Sequence, residues 1–223
     1  VDLIFGIPGQ TLAEWRADLE TVLELGVGHV STYGLTYEKG TRLWKAWQRG
    51  LITPSENELE AQMYELAMDR LTAGGVEQYE ISNFARPGQQ CRHNELYWAN
   101  APYFGIGLGA ARYLGGTRAV NTRSLKTYLD ACLAGQDPQQ SAETLPPDQR
   151  ARETAMLNLR RRRGIHRQEF LRQTGIELDN LLGARLRRLV DQGLLIDAGE
   201  AVFLSRQGRL LADEVLGAVL TTP

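Results

Sequence analysis

Long apolar runs are missing from this sequence. No stretch approaches the ~20 residues of a membrane-spanning helix, and no basic-then-apolar leader opens the chain. Cysteine is nearly absent: Cys91 and Cys132 are too few for a disulfide framework, so a reducing cytoplasm is the expected setting. An excess of either charge is missing too. With 25 Lys and Arg against 27 Asp and Glu, the net charge of -2 makes no global electrostatic case for nucleic acid or an anionic membrane surface. Finally, there is no initiator methionine. The opening VDLIFG reads as a strand already under way, and a parallel strand needs neighbours on both sides. Residues are therefore expected upstream of Val1.

What is present can bury a real core, since 223 residues suffice for one large domain or two modest ones. Residues 1–5 form a short apolar run with one acid, Asp2, which is costly to bury unless paired. Asp2 reads as a ligand contact in a barrel mouth or as an exposed strand start. Gly6-Ile7-Pro8-Gly9 ends the run, and Thr11 with Glu14 three residues on has the form of a capping box. Leu12, Trp15, Leu19, Val22 and Leu23 then recur at helical spacing, and residues 29–35 alternate like a strand, with His29 at its start. Strand, helix and strand in so short a span predict a parallel βαβ unit.

Residues 36–54, with Trp44 and Trp47, read as a loop-rich crossing, and 55–73 as an amphipathic helix capped by Ser55 with Glu58 in a second capping box. Residues 76–98 carry the densest chemistry. Tyr79, Ile81 and Phe84 alternate as in a strand, Ala85-Arg86-Pro87-Gly88 signals a turn, and Cys91 and His93 lead to Tyr97-Trp98. Such a stretch suits a site at the carboxyl end of a strand; a buried strand with a surface loop gives the same pattern. Gly105, Gly107 and Gly109 permit close backbone approach, but G-x-G-x-G without a following helix is not a dinucleotide fingerprint.

Residues 124–134 predict a short helix with Cys132 as a buried small hydrophobe, and the polar, Pro-rich 135–148 predicts a linker. Beyond it lie helical patterns at 149–159, 167–173 (opened by His166) and 180–192, a hairpin signal around 197–200 and a last helix over 205–220. This order describes a small winged-helix-like α+β domain. Its arginines, 160–163 with Arg185, Arg187 and Arg188, raise a nucleic-acid reading, which Glu169, Glu177, Asp179, Asp191 and Asp197 dilute. No nucleic-acid partner is expected.

Taken together, DLIFGIPGQT (2–11), QYEISNFARPG (78–88), CRHNELYW (91–98), GIGLGA (105–110) and SRQGRLLADEVL (205–216) resemble the HemW-type haem chaperones. These are relatives of the oxygen-independent coproporphyrinogen III dehydrogenases in the radical SAM superfamily. The H-N-x-x-Y-W signature at 93–98 points to the HemW branch. The resemblance implies an α/β fold: the carboxy-terminal part of a radical SAM partial (β/α) barrel over 1–134, a linker at 135–148 and the winged-helix-like domain at 149–223. It implies a 4Fe–4S cluster and S-adenosylmethionine in the full-length protein. The C-x-x-x-C-x-x-C that would hold the cluster is absent from this sequence, which is therefore expected to be inactive by itself.

By the same resemblance, Asp2, Thr36 and Ala111 fall at positions lining the S-adenosylmethionine pocket. Gly109-Ala110-Ala111 departs from the G-A-H triplet of many HemW-like sequences. The implied cargo is haem, with haem-accepting proteins as partners. His93 is the candidate iron ligand, with Tyr97, Trp98 and Phe104 as aromatic cover for a porphyrin. The implied activity is haem delivery; porphyrinogen oxidation and nucleic-acid binding are the alternatives.

Overall fold

The apolar opening run and the capping box behind it fold as their pattern predicts. In a computed structural model that describes residues 1–221, β1 (Asp2–Phe5) leads to α1 (Leu12–Glu24) and then β2 (His29–Gly34). The Thr11 hydroxyl accepts the Glu14 amide, and the Glu14 carboxylate accepts the Thr11 amide. Strands β1 and β2 pair in parallel, from Asp2 opposite Ser31 to Phe5 opposite Gly34. The βαβ expectation holds.

Two later expectations change. Residues 36–54 contain a helix, α2 (Arg42–Gln48), and the long helix α3 begins later than predicted, as Asn57–Ala73. Ser55 makes no cap: Glu56 occupies that place without a side-chain bond, and Glu58 instead accepts from Gln62 within the helix. The alternating 79–84 run is not one strand but a tight reversal between β3 (Glu77–Gln78) and β4 (Asn83–Ala85). The Glu80 carboxylate causes the break by accepting the Ser82 amide and the Asn83 side-chain amide. The sheet order is β1-β2-β4-β3, with β4 antiparallel to both neighbours. Its core gathers Phe5, Trp15, Leu19, Val30, Met63, Leu71 and Phe84.

The chain divides into two compact units, Val1–Cys91 and Arg92–Pro223. The second opens with α4 (Arg92–Trp98), then a hairpin of β5 (Ala111–Leu114) and β6 (Thr117–Asn121). Gly115 and Gly116 both have positive φ, 58° and 81°, as a two-residue hairpin loop of this type requires. After α5 (Leu125–Leu133), the stretch expected as a linker contains β7 (Gln139–Thr144), antiparallel to β6. All six of its residues are exposed, so no apolar alternation announces it in the sequence. Polar ties secure it: Arg112 reaches Gln139, and the Thr117 and Thr144 hydroxyls meet at 2.8 Å. Cys132, expected to be buried, is exposed on α5.

The remaining elements follow the predicted order. They are α6 (Pro147–Leu159), β8 (Ile165–His166), α7 (Arg167–Thr174), α8 (Leu178–Asp191), β9 (Leu195–Asp197), β10 (Ala201–Leu204), α9 (Arg206–Leu210) and α10 (Ala212–Leu220). The predicted last helix is broken in two at Leu211, and α8 is kinked at Gly183 (φ 47°, ψ -121°). The sheet runs β8-β10-β9, antiparallel throughout. It packs with helices over Leu159, Ile165, Leu178, Val202 and Val215. Residues 222–223 of the expected 149–223 domain lie outside the described residues.

Candidate functional site

A seven-residue helix is too short to be stable alone, and α4 buries none of its residues fully. Its orientation is therefore set by side-chain ties. With about 100° of turn per residue, positions 93 and 97 share one face while 95 and 98 lie on the far side. The two faces do different things. On one, His93 is exposed, and its ring meets Tyr97 edge-on, centroids 4.5 Å apart at 88°. Tyr97 in turn lies 4.4 Å from Tyr103, and Tyr103 6.4 Å from Tyr113. Beside this aromatic row Phe104 is 78% exposed and Ile106 88% exposed.

On the other face Glu95 pairs with Arg161, at 3.1 Å. The Arg160 guanidinium lies 4.4 Å from the centroid of the Trp98 ring. Trp98 is therefore not brought to the same face as His93 and Tyr97, although all three belong to one predicted signature. The chain after α4 is fixed as well. Asn100, at φ 50°, donates to the Thr154 hydroxyl at 3.0 Å, and the Gln173 amide donates to the carbonyls of Ala99 and Asn100 at 2.9 and 3.1 Å.

The arginine run is accounted for by these ties. Arg160 covers Trp98, Arg161 holds Glu95, and Arg163 holds Glu169, whose carboxyl that contact keeps below its ordinary range. Burial lowers the Arg161 guanidinium while Glu95 opposes it. Three of the four arginines of the 160–163 run thus have partners within the protein.

The glycine-rich loop is shaped by close approach. A Cβ on Gly105 would meet the Ala111 carbonyl oxygen at 2.4 Å. The buried Asn121 amide donates to the carbonyls of Gly105 and Gly107 at 3.1 and 2.9 Å. Ala111 is half-buried at the start of β5, opposite Val120. No polar atom of its side chain is available, so it can offer a ligand only apolar contact.

In Val1–Cys91 the predicted positions separate. Asp2 is exposed at the amino end of β1, beside His29, whose imidazole is lowered by burial and by the terminal amine while Asp2 opposes them. Thr36 is exposed beyond the carboxyl end of β2, roughly 15 Å further along the strands at ~3.3 Å per residue. The structure does not bring the two together. His29 itself is tied to the Tyr79 hydroxyl at 2.9 Å.

Two residues that the sequence reading passed over lie at that carboxyl end. Gly6, at φ 74°, backs onto the Glu60 carboxylate, to which a Cβ there would come within 3.1 Å. Burial pushes the Glu60 carboxyl up; burial and then Glu60 push the Tyr37 phenol up. The Tyr37 hydroxyl is shielded from solvent and has no hydrogen-bond partner among the described residues. A signal existed: Glu60 sits on the inward face of α3, four residues before Tyr64 and in register with Ala67 and Leu71. An acid at an inward helical position marks a place to look.

Residues 145–211 match the model of the HemN C-terminal domain. The chain is 39% identical over 220 residues to the protein named heme chaperone HemW of Bacillus subtilis, covering 99% of this chain and 58% of that one. It is 31% identical over 231 residues to the mitochondrial radical S-adenosyl methionine domain-containing protein 1 of Danio rerio, covering 99% and 52%. In fold it is similar to the coproporphyrinogen III oxidase (HemN) of Escherichia coli, described as a radical SAM enzyme. There the TM-score is 0.74 at 18% identity, over 99% of this chain and 54% of that one. The chain thus spans a little over half the length of the relatives it matches.

Proposed function

Since the chain belongs to the HemW-type family, we propose that it binds haem on the His93 face of α4 and passes it to haem-accepting proteins. The observation that carries this reading is the exposed imidazole of His93, set edge-on to Tyr97 at the end of an aromatic row. Imidazole nitrogen is the usual axial ligand for haem iron. Tyr97, Tyr103 and the exposed Phe104 offer apolar area for a porphyrin face. An exposed imidazole there would hold haem where a recipient protein can reach it. That arrangement suits handover better than storage. Trp98 contributes by anchoring the helix under Arg160 rather than by touching the porphyrin.

The fold supports reading Val1–Cys91 as part of a partial (β/α) barrel and the 149–223 region as winged-helix-like. A 4Fe–4S cluster does not fit the residues present. Cys91 and Cys132 are far apart in sequence, and among the described residues no group of three or more His, Cys, Asp or Glu is placed to hold a metal. For S-adenosylmethionine, Thr36 at the carboxyl end of β2 is the position that geometry favours, because parallel sheets bind ligands there. Asp2 and Ala111 rest on the family resemblance alone. No helix among the described residues is long and apolar enough to cross a membrane.

Haem titration followed in the Soret region tests the reading. The chain is expected to bind haem with the spectrum of a histidine-ligated iron, and His93→Ala to lose that signature. An unaltered spectrum in His93→Ala would remove His93 from the site and the reading with it.

A further inference from the structure

We infer that Arg161 is a positioning residue for His93, acting through Glu95 to fix how α4 is presented. The inference rests on the haem reading for its consequence but on separate geometry for its cause. Along α6 and just past its end, Thr154, Asn158 and Arg161 recur at helical spacing and are all buried: 1%, 9% and 7% exposed. Each meets a partner on this seam. Thr154 accepts from Asn100, and the Asn158 amide nitrogen donates to the Thr154 carbonyl at 2.7 Å. Arg161 donates to the Asn158 side-chain oxygen at 3.2 Å and through Nε to the Glu95 carboxylate at 3.1 Å.

A buried polar seam is not how stability alone is best obtained. Apolar side chains of equal volume would hold two elements at least as firmly, because the ions must be desolvated. What such a seam adds is discrimination, since only one placement satisfies every donor and acceptor. An apolar contact would let a seven-residue helix slide or rotate. Glu95 and His93 lie on nearly opposite sides of α4, so a rotation that breaks the Glu95–Arg161 pair turns His93 away from its open face and Tyr97 away from Tyr103. The four-residue spacing that brings His93 and Tyr97 together is thus presented at the angle that the Arg161–Glu95 pair holds on the far side.

The test uses the whole chain and the variants Arg161→Met, Arg161→Lys and Glu95→Gln, with two readouts. The first is haem affinity with its Soret signature. Partners that orient a metal ligand are worth about 10- to 100-fold in affinity, so about a 10-fold loss is expected in Arg161→Met. Partial recovery is expected in Arg161→Lys, which keeps the charge but not the planar fork. The second needs no haem: a cross-peak between the Tyr97 and Tyr103 rings by NMR, expected to fade in Arg161→Met and weaken in Glu95→Gln. Unchanged affinity and an unchanged cross-peak in both would overturn the inference. Should His93→Ala bind haem as the parent does, the haem reading fails separately. The cross-peak alone then decides: its loss supports the positioning of α4 by Arg161, and its persistence refutes it. Glu95 is only half-buried, so Glu95→Gln keeps the test valid if Arg161→Met does not fold.

Discussion

In Val1–Cys91, α1 and α3 meet over Trp15, Leu19, Met63 and Leu71, none with measurable exposure; an indole bond from Trp15 to the Met63 carbonyl at 2.8 Å and an exposed Arg70–Glu20 ion pair are the polar links beside that seam. In Arg92–Pro223 the apolar core is just as dry, but guanidinium groups cross its joints. Arg152, 6% exposed, reaches Leu181 on α8 and the carbonyls of Val219 and Thr221 at the end of α10. Arg161 ties α6 to α4, and Arg167 gathers Asp179, Asp197 and the Gly199 carbonyl. The two regions differ in what has to be specified. A βαβ unit is set by strand pairing and one apolar seam. Short helices and a small hairpin have too little apolar area to define their own angles, and directional bonds supply the missing information.

The largest expected effect falls on the first region. Trp15→Ala should cost about 3–5 kcal/mol, because it leaves a cavity where a whole indole was packed and strips the Met63 carbonyl of its donor. Hydrogen exchange should then show protection lost across β1, α1 and α3 while α6 and α10 keep theirs. Equal loss in both regions would mean that they unfold as one and that the contrast has no energetic meaning.

Arg152→Met is the matching cut in the second region, and a smaller one. Charged donors to buried carbonyls contribute roughly 1.5–3 kcal/mol, and the substitution keeps most of the aliphatic bulk. Protection should fall first at the end of α10, where the Val219 and Thr221 carbonyls lose the Arg152 donor and Thr221 keeps that of Arg185. A denaturation midpoint equal to the parent's would show that the apolar core alone holds the C-terminal helices, and the argument from arginine would fail at its most buried example.

That contrast also explains what the sequence discloses. Trp15, Leu19 and the Thr11–Glu14 box act locally, so spacing reveals them, and β1, α1, β2, α6, α7 and α8 fall where periodicity puts them. Elements held by remote polar ties leave no such trace. β7 exposes all six residues and α4 buries none, so no apolar periodicity marks either. The candidate site was half legible. His93 and Tyr97 belong together because four residues separate them. That Trp98 lies under Arg160, 62 positions on, is a contact that no local pattern encodes. The same limit hides the internal partners of Arg160, Arg161 and Arg163, which sequence spacing shows only as a basic run. Conversely, Glu60 was overlooked although helical spacing marked it.

Acid should separate the regions by sign, with the smallest effects. Arg167, helped by the Gly199 amide, holds the Asp197 carboxyl below its ordinary value of 3.8. A lowered carboxyl contributes stability that is complete above its unfolded value and is lost as pH falls through the folded one. The β9–β10 hairpin should therefore weaken below about pH 4. Because Asp197 is a third exposed, the pair is worth no more than ~0.5–1 kcal/mol. Glu60 behaves in the opposite way. Burial raises its carboxyl above 4.5, so the folded state binds the proton more tightly than the unfolded chain, and stability rises as pH falls toward that value. As pH falls from neutral toward 4.5, Glu60→Gln should abolish a gain confined to Val1–Cys91. Arg167→Ala should leave that gain intact and remove the loss seen at lower pH around β9 and β10. Exchange protection followed along a pH series reads both at once. If both variants shift the same region, or if Glu60→Gln leaves the slope of stability with pH unaltered, then the burial of Glu60 at the carboxyl end of β1 does not set its titration.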